Sequence, residues 1–169
     1  MTVALPYSDL FMTEPARYEL TATQALRRSM PAFSSLSATD WRPMAHGALK
    51  SIEQECGVDN WDGPGSKRVA ILALSAARLM IEQLYKQLPR TIPCPDIAPE
   101  ADGEIDFSWY DKDGLSVSMS VSARGTVTYA ANYGRKGVDH GWKSLDEALE
   151  TVVRLVVRLF PTSVGRGHT

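Results

Sequence analysis

The chain has 169 residues, of which 44% are hydrophobic and 22% charged, with a formal net charge of -2 and a pI near 5.9. That length and balance fit one folded domain with an appended arm and exclude wholesale disorder. The totals also lack the basic excess typical of nucleic-acid binders and the acidic excess of a DNA mimic, which leaves only a local charged patch open.

The two cysteines, Cys56 and Cys94, make neither a disulfide framework nor paired metal-ligand spacing, and read as reduced, partly buried thiols. No run is long enough to span a bilayer. Met1 to Pro6 shows no basic and then apolar leader pattern, so the expected compartment is the cytoplasm.

Residues 1–36 read as an N-terminal arm and short helix. Pro6 and Pro15 break any period, and Leu5, Leu10 and Phe11 are its packing residues. Thr21 to Met30 is the helix, with Ala22, Ala25, Leu26 and Met30 on one side and Pro31 as its stop.

Residues 37–162 read as a single α+β domain. Thr39 or Asp40 can cap a helix whose first turn holds Pro43. Trp41, Met44, Ala45, Ala48, Leu49 and Ile52 then recur at helical spacing, and Gly57 suits the position after its end. Asn60-Trp61-Asp62-Gly63-Pro64-Gly65-Ser66 follows as a rigid turn. Asn60 and Asp62 favour Asx turns, the glycines permit positive φ, and Trp61 is expected to lie as a lid over the core. Ser66 is expected to cap a long apolar helix to about Leu88, its arc wide enough to touch the sheet and other helices together.

Pro89, Pro93, Pro95 and Pro99 then enforce an extended crossing, with Ile92 and Ile97 as anchors along a sheet edge. Glu104–Tyr110, Leu115–Ser122 and Thr126–Asn132 alternate apolar and polar residues, with turns at Asp111-Lys112-Asp113-Gly114 and Ala123-Arg124-Gly125. One face is oily, with Ile105, Phe107, Trp109, Val117, Met119, Val121 and Val127; the other is short and polar. Tyr133 to Trp142 reads as a glycine-rich loop. Ser144 and Glu147 form a capping box for the last helix, which Pro161 ends, and residues 163–169 read as a flexible tail.

Each candidate site competes with an ordinary structural reading. Gly63-Pro64-Gly65-Ser66-Lys67 evokes a phosphate loop, but the glycine-to-lysine spacing is wrong and a helix precedes it. Glu104 and Asp106 share a strand face, as an acid/base or metal pair would, yet charge on the wet side of a strand is what a solvated sheet presents. His140 has Asp139, Arg135, Lys136 and Lys143 for company, without any nucleophile signature. Arg135, Lys136, His140 and Lys143 also make a small basic spot beside Tyr133 and Trp142, suited to an acidic partner or a phosphate backbone. Ser116, Ser118, Ser120, Ser122, Thr126, Thr128 and Ala130 are the hardest to dismiss. Solvent faces usually carry lysine and glutamate to hold off sticking, and this one is nearly chargeless and cheap to desolvate.

Asn60-Trp61-Asp62-Gly63-x-Gly65, an apolar helix, Pro93-x-Pro95 with Pro99, and Asp102-Gly103-x-Ile105-x-Phe107-x-Trp109 together resemble a loose group of small bacterial "NWDG-turn" α+β proteins with no established activity. The likeness runs from about Gly57 to Tyr133. It implies bacterial or phage origin, a cytoplasmic location and a place near mobile-element or defence genes.

The expected fold is therefore α+β, an antiparallel three- to four-stranded meander packed on one face by the long helix and the C-terminal helix. The expected function is non-enzymatic: a protein-interaction module, an inhibitor, antitoxin-like or phage counter-defence factor, without cofactor or metal. Its partner-binding residues would be Ser116, Ser118, Ser120, Thr126, Thr128, Arg135, Lys136, His140 and Lys143, and its partner another protein or a second copy. The alternatives are a small metal-dependent hydrolase or nuclease using Glu104, Asp106 and His140, and a nucleic-acid binder using the 133–143 basic loop.

Overall fold

The structure, a computed structural model, describes residues 40–161. The expected arm and helix of residues 1–36 and the tail of 163–169 lie outside the described residues. Three helices and five strands run in the order α1 (Arg42–Glu55), α2 (Ile71–Gln87), β1 (Asp96–Pro99), β2 (Ile105–Tyr110), β3 (Ser116–Val121), β4 (Thr126–Asn132), β5 (Val138–Ser144) and α3 (Leu145–Leu159). The strands form one antiparallel sheet in chain order, a meander with the helices packed on one face. The α+β class is the expected one, with five strands in place of three or four. Beyond the three strands named from alternation stand the two outer ones, β1 from the proline crossing and β5 from the stretch read as a loop.

Helix α1 begins with proline in its first turn, where a missing N–H costs little. Asp40 serves it from outside the cap, accepting the Arg42 amide at 3.0 Å. Ala45, Leu49 and Ile52 form its buried stripe, and Trp41 is buried edge-on to Tyr85 of α2, 5.5 Å between ring centres.

The turn after α1 is closed by its own side chains. Asn60 sits at φ +63°, a left-handed position that asparagine tolerates, and its Oδ1 accepts the Gly65 amide at 2.9 Å. The Ser66 hydroxyl donates to the Gly63 carbonyl and accepts the Asp62 amide, both at 3.0 Å. Trp61 covers the edge of the core, and its indole N–H donates to the Lys67 carbonyl at 2.9 Å.

Ser66 therefore does not cap α2, contrary to expectation. Its hydroxyl is spent inside the turn, and residues 67–70 stay out of the helix while other segments take the amides of residues 67–69. Lys67 donates to Ala101, Arg68 to the Asp59 carboxylate, and Val69 to Cys56, at 2.7, 3.0 and 2.9 Å. Helix α2 starts only at Ile71, with Ala70 in the cap position. Its wide apolar arc is not fully packed either: Ala73, Leu74, Ala77, Met80, Ile81 and Leu84 are buried, while Ile71, Leu72 and Leu79 face solvent.

Ile105, Phe107, Trp109, Val117, Met119, Val121 and Val127 are buried on the inner face of the sheet, as their alternation requires. Helix α3 lies across them with Ala148, Val152, Leu155, Val156 and Leu159. Its expected capping box does not form: Ser144 occupies the cap position without a side-chain hydrogen bond. The Tyr133 hydroxyl, just past β4, donates to the Leu155 carbonyl at 2.9 Å and locks the β4–β5 corner onto α3.

Candidate protein-interaction face

Register fixes the outer face of the sheet as a grid. Across one row stand Asp96, Ser108, Ser118, Ala130 and His140; across the next, Ala98, Asp106, Ser120, Thr128 and Trp142. A third row holds Tyr110, Ser116, Asn132 and Val138. At about 4.8 Å per strand the grid is about 19 Å wide. None of these positions is a lysine or arginine.

The two sides of the grid differ. On β1 and β2, Ala98, Asp106 and Ser108 are buried, and the Ser108 hydroxyl donates to the Asp106 carboxylate at 2.7 Å. On β3 the predicted Ser116, Ser118 and Ser120 are half-buried. On β4 Thr126 is half-buried, and Thr128 and Ala130 are exposed. On β5 the side chains stand out: Trp142 is 75% exposed and Val138 71%. Tyr110 closes the near corner at 52%. The open part is thus a floor of hydroxyls and an alanine, rimmed by two aromatic rings and a valine.

The basic spot does not assemble as expected. Instead of a loop, residues 138–144 form β5, and strand alternation sends His140 to the outer face and Lys143 to the inner. Arg135 and Lys136 sit in a single 3-10 turn, Gly134–Lys136, at the tip of the β4–β5 hairpin. The Lys136 carbonyl accepts the Arg158 guanidinium at 3.3 Å. The four side chains therefore occupy three places: the tip, the outer face and the inner edge.

Glu104 and Asp106 do not converge with His140. Asp106 is on β2 and His140 on β5, with β3 and β4 between, so about 14 Å of sheet separates them. Burial raises the Glu104 carboxyl, with Asp102 adding to the shift. Among the described residues no group of three or more His, Cys, Asp or Glu side chains is arranged to hold a metal ion.

Sequence reasoning missed the prominence of Trp142, Val138 and Tyr110. The signal was present, because Val138, His140, Trp142 and Ser144 alternate with Asp139, Gly141 and Lys143. Two glycines nearby and the charges disguised that period as loop composition. It also missed a polar junction between α1 and α2. There Glu82 accepts His46 Nε2 at 2.8 Å and Arg42 at 3.2 Å, and Arg42 in turn grips Asp40. Arg42 and Arg90 stack on the Tyr85 ring at 4.1 and 3.8 Å from its centre. Hydrogen bonding to Arg42 holds the Asp40 carboxyl at about 2, and bonding to His46 lowers Glu82. Every charge here has an opposite partner or a ring, which is the chemistry of a helix clamp.

The thiols stand apart from the face. Cys56 caps the end of α1 and is buried, and Cys94 is half-buried in the proline crossing. Burial pushes them up to about 11 and about 12.

No protein family, curated protein or solved structure matches this chain. No helix among the described residues is long and apolar enough to cross a membrane.

Proposed function

We propose that this protein is a non-enzymatic binding module that docks a protein partner on the open β3–β5 part of its outer sheet face. One observation carries the reading. Trp142, the largest side chain on β5, stands 75% exposed beside the short side chains Thr128 and Ala130. An indole left in water forgoes several kcal/mol of burial, and aromatic anchors over small, uncharged neighbours are what interface cores use. The hydroxyl floor supports it, because serine and threonine cost little to desolvate and allow close approach.

A protein fits this face better than a nucleic acid. An exposed ring can stack a base, but phosphates need cations, and the grid holds no lysine or arginine. Such a module works by occupancy, which is the mode of an inhibitor, an antitoxin-like protein or a phage counter-defence factor.

The test is site-specific photocrosslinking in the native cell. A photoreactive residue at 128, 130 or 142 is expected to trap one and the same protein. The same residue at Glu150 or Arg154, exposed on α3, is expected to trap none. Equal trapping from both sets of positions would overturn the reading, as would nucleic acid as the main adduct.

A further inference from the structure

We propose that two copies of this chain pair through β5, antiparallel and two-fold symmetric about Gly141, to make one ten-stranded sheet. This goes beyond the docking of a different protein on the outer face. It concerns the edge of the sheet, where β5 is the last strand and no strand among the described residues pairs beyond it.

The hydrogen-bond phase of β5 sets the geometry. At one end of its ladder the Tyr133 amide donates to the Gly137 carbonyl at 3.0 Å, and at the other the Leu145 amide donates to Gly125 at 2.8 Å. Both pairs are in phase with Tyr129 opposite Gly141. The main chain of Asp139, Gly141 and Lys143 therefore faces β4, and that of Val138, His140, Trp142 and Ser144 faces outward. A seven-residue edge of this kind is a ready template for another strand.

The side chains choose the partner and the register. In an antiparallel pair centred on Gly141, Val138 meets Ser144 of the second copy and His140 meets its Trp142. Every outward N–H and C=O is then used. On the inner side, Asp139 meets Lys143 of the second copy, and the symmetry repeats that ion pair. Centring the pair on Asp139 or on Lys143 instead sets like charge against like, while centring it on His140 or on Trp142 parts Asp139 from Lys143 and runs Ser144 or Val138 past the end of the partner strand. The lysine, which alone would guard the edge, thus selects one register. A glycine at the axis also fits. A Cβ at Gly141 would lie 2.7 Å from the Tyr129 hydroxyl, so that ring lies across the strand where the two copies meet.

Sedimentation velocity on the full chain decides the matter. The mass is expected to rise from 18.6 kDa toward its double with concentration. Asp139→Lys and Lys143→Asp alone should each weaken the dimer at least tenfold, and the two together should restore it. His140→Pro removes an outward N–H and spares the β4 ladder, so it should abolish pairing with the circular dichroism unchanged. A monomer at every concentration from nanomolar to millimolar overturns the proposal. A dimer indifferent to the reversals and the proline overturns it too, as does a double reversal that folds but stays monomeric. Outer-face crosslinks that persist in a monomeric variant would keep the docking reading intact, so the two can fail separately.

Discussion

Replacing Gly103 by alanine probes the joint between the sheet and the turn that precedes α2. Gly103 is buried in the β1–β2 turn at φ +89°. A Cβ there would lie 2.7 Å from the Arg68 carbonyl oxygen, a main-chain atom that cannot swing aside. That segment is pinned on both sides, by Lys67 to Ala101 at 2.7 Å and Val69 to Cys56 at 2.9 Å. The left-handed backbone costs alanine about 1 kcal/mol after allowing for the stiffer unfolded chain. Relieving the overlap means pushing the hairpin off a pinned main chain and stretching the Lys67–Ala101 bond, about 2 kcal/mol more. The total is about 3 kcal/mol. Gly114→Ala is the control, because φ is +77° but a Cβ would meet nothing within 4 Å, and it should cost only the conformational part. In urea unfolding followed by circular dichroism, a slope of about 2 kcal/mol per molar places the midpoints about 1.5 M and about 0.5 M below wild type. Equal shifts for the two variants would refute the steric argument.

Trp142→Ala and Ser118→Arg should each change stability by less than about 1 kcal/mol while abolishing the outer-face crosslinks; a loss of stability well above that would mean these residues hold the fold rather than a partner. Both thiols should resist Ellman's reagent in the native protein at about pH 8, because fewer than about one in a hundred is thiolate there, and both should react in denaturant; a fast native thiol would contradict the burial-driven shifts. The Asp40 carboxyl lies at about 2 in the folded chain against an ordinary 3.8, so its contribution is complete above 3.8 and is lost as pH falls through about 2. Asp40→Asn should therefore flatten the acid limb of the stability curve over that interval, and an acid limb parallel to wild type would show that the Arg42 clamp contributes nothing to folding.

What was legible in the sequence is what depends on near neighbours along the chain. The inner and outer faces of β2, β3 and β4 follow from alternation, because successive side chains point to opposite sides whatever else the protein does. The helical stripe of α1 and the turn at Asn60–Ser66 are local in the same sense. Tertiary contacts decided the rest. Helix α2 starts only at Ile71 while Ala101, Asp59 and Cys56 take the amides of residues 67–69, and no window on the sequence displays those distant partners. Glycines and charges made β5 look like loop, yet pairing with β4 and the Tyr129 ring laid over Gly141 hold it as a strand. That pairing sorts His140 from Lys143 and lifts Trp142 onto the open face. A chain states its own periodicity, but only the packed sheet decides which side of a strand is buried and which is left open.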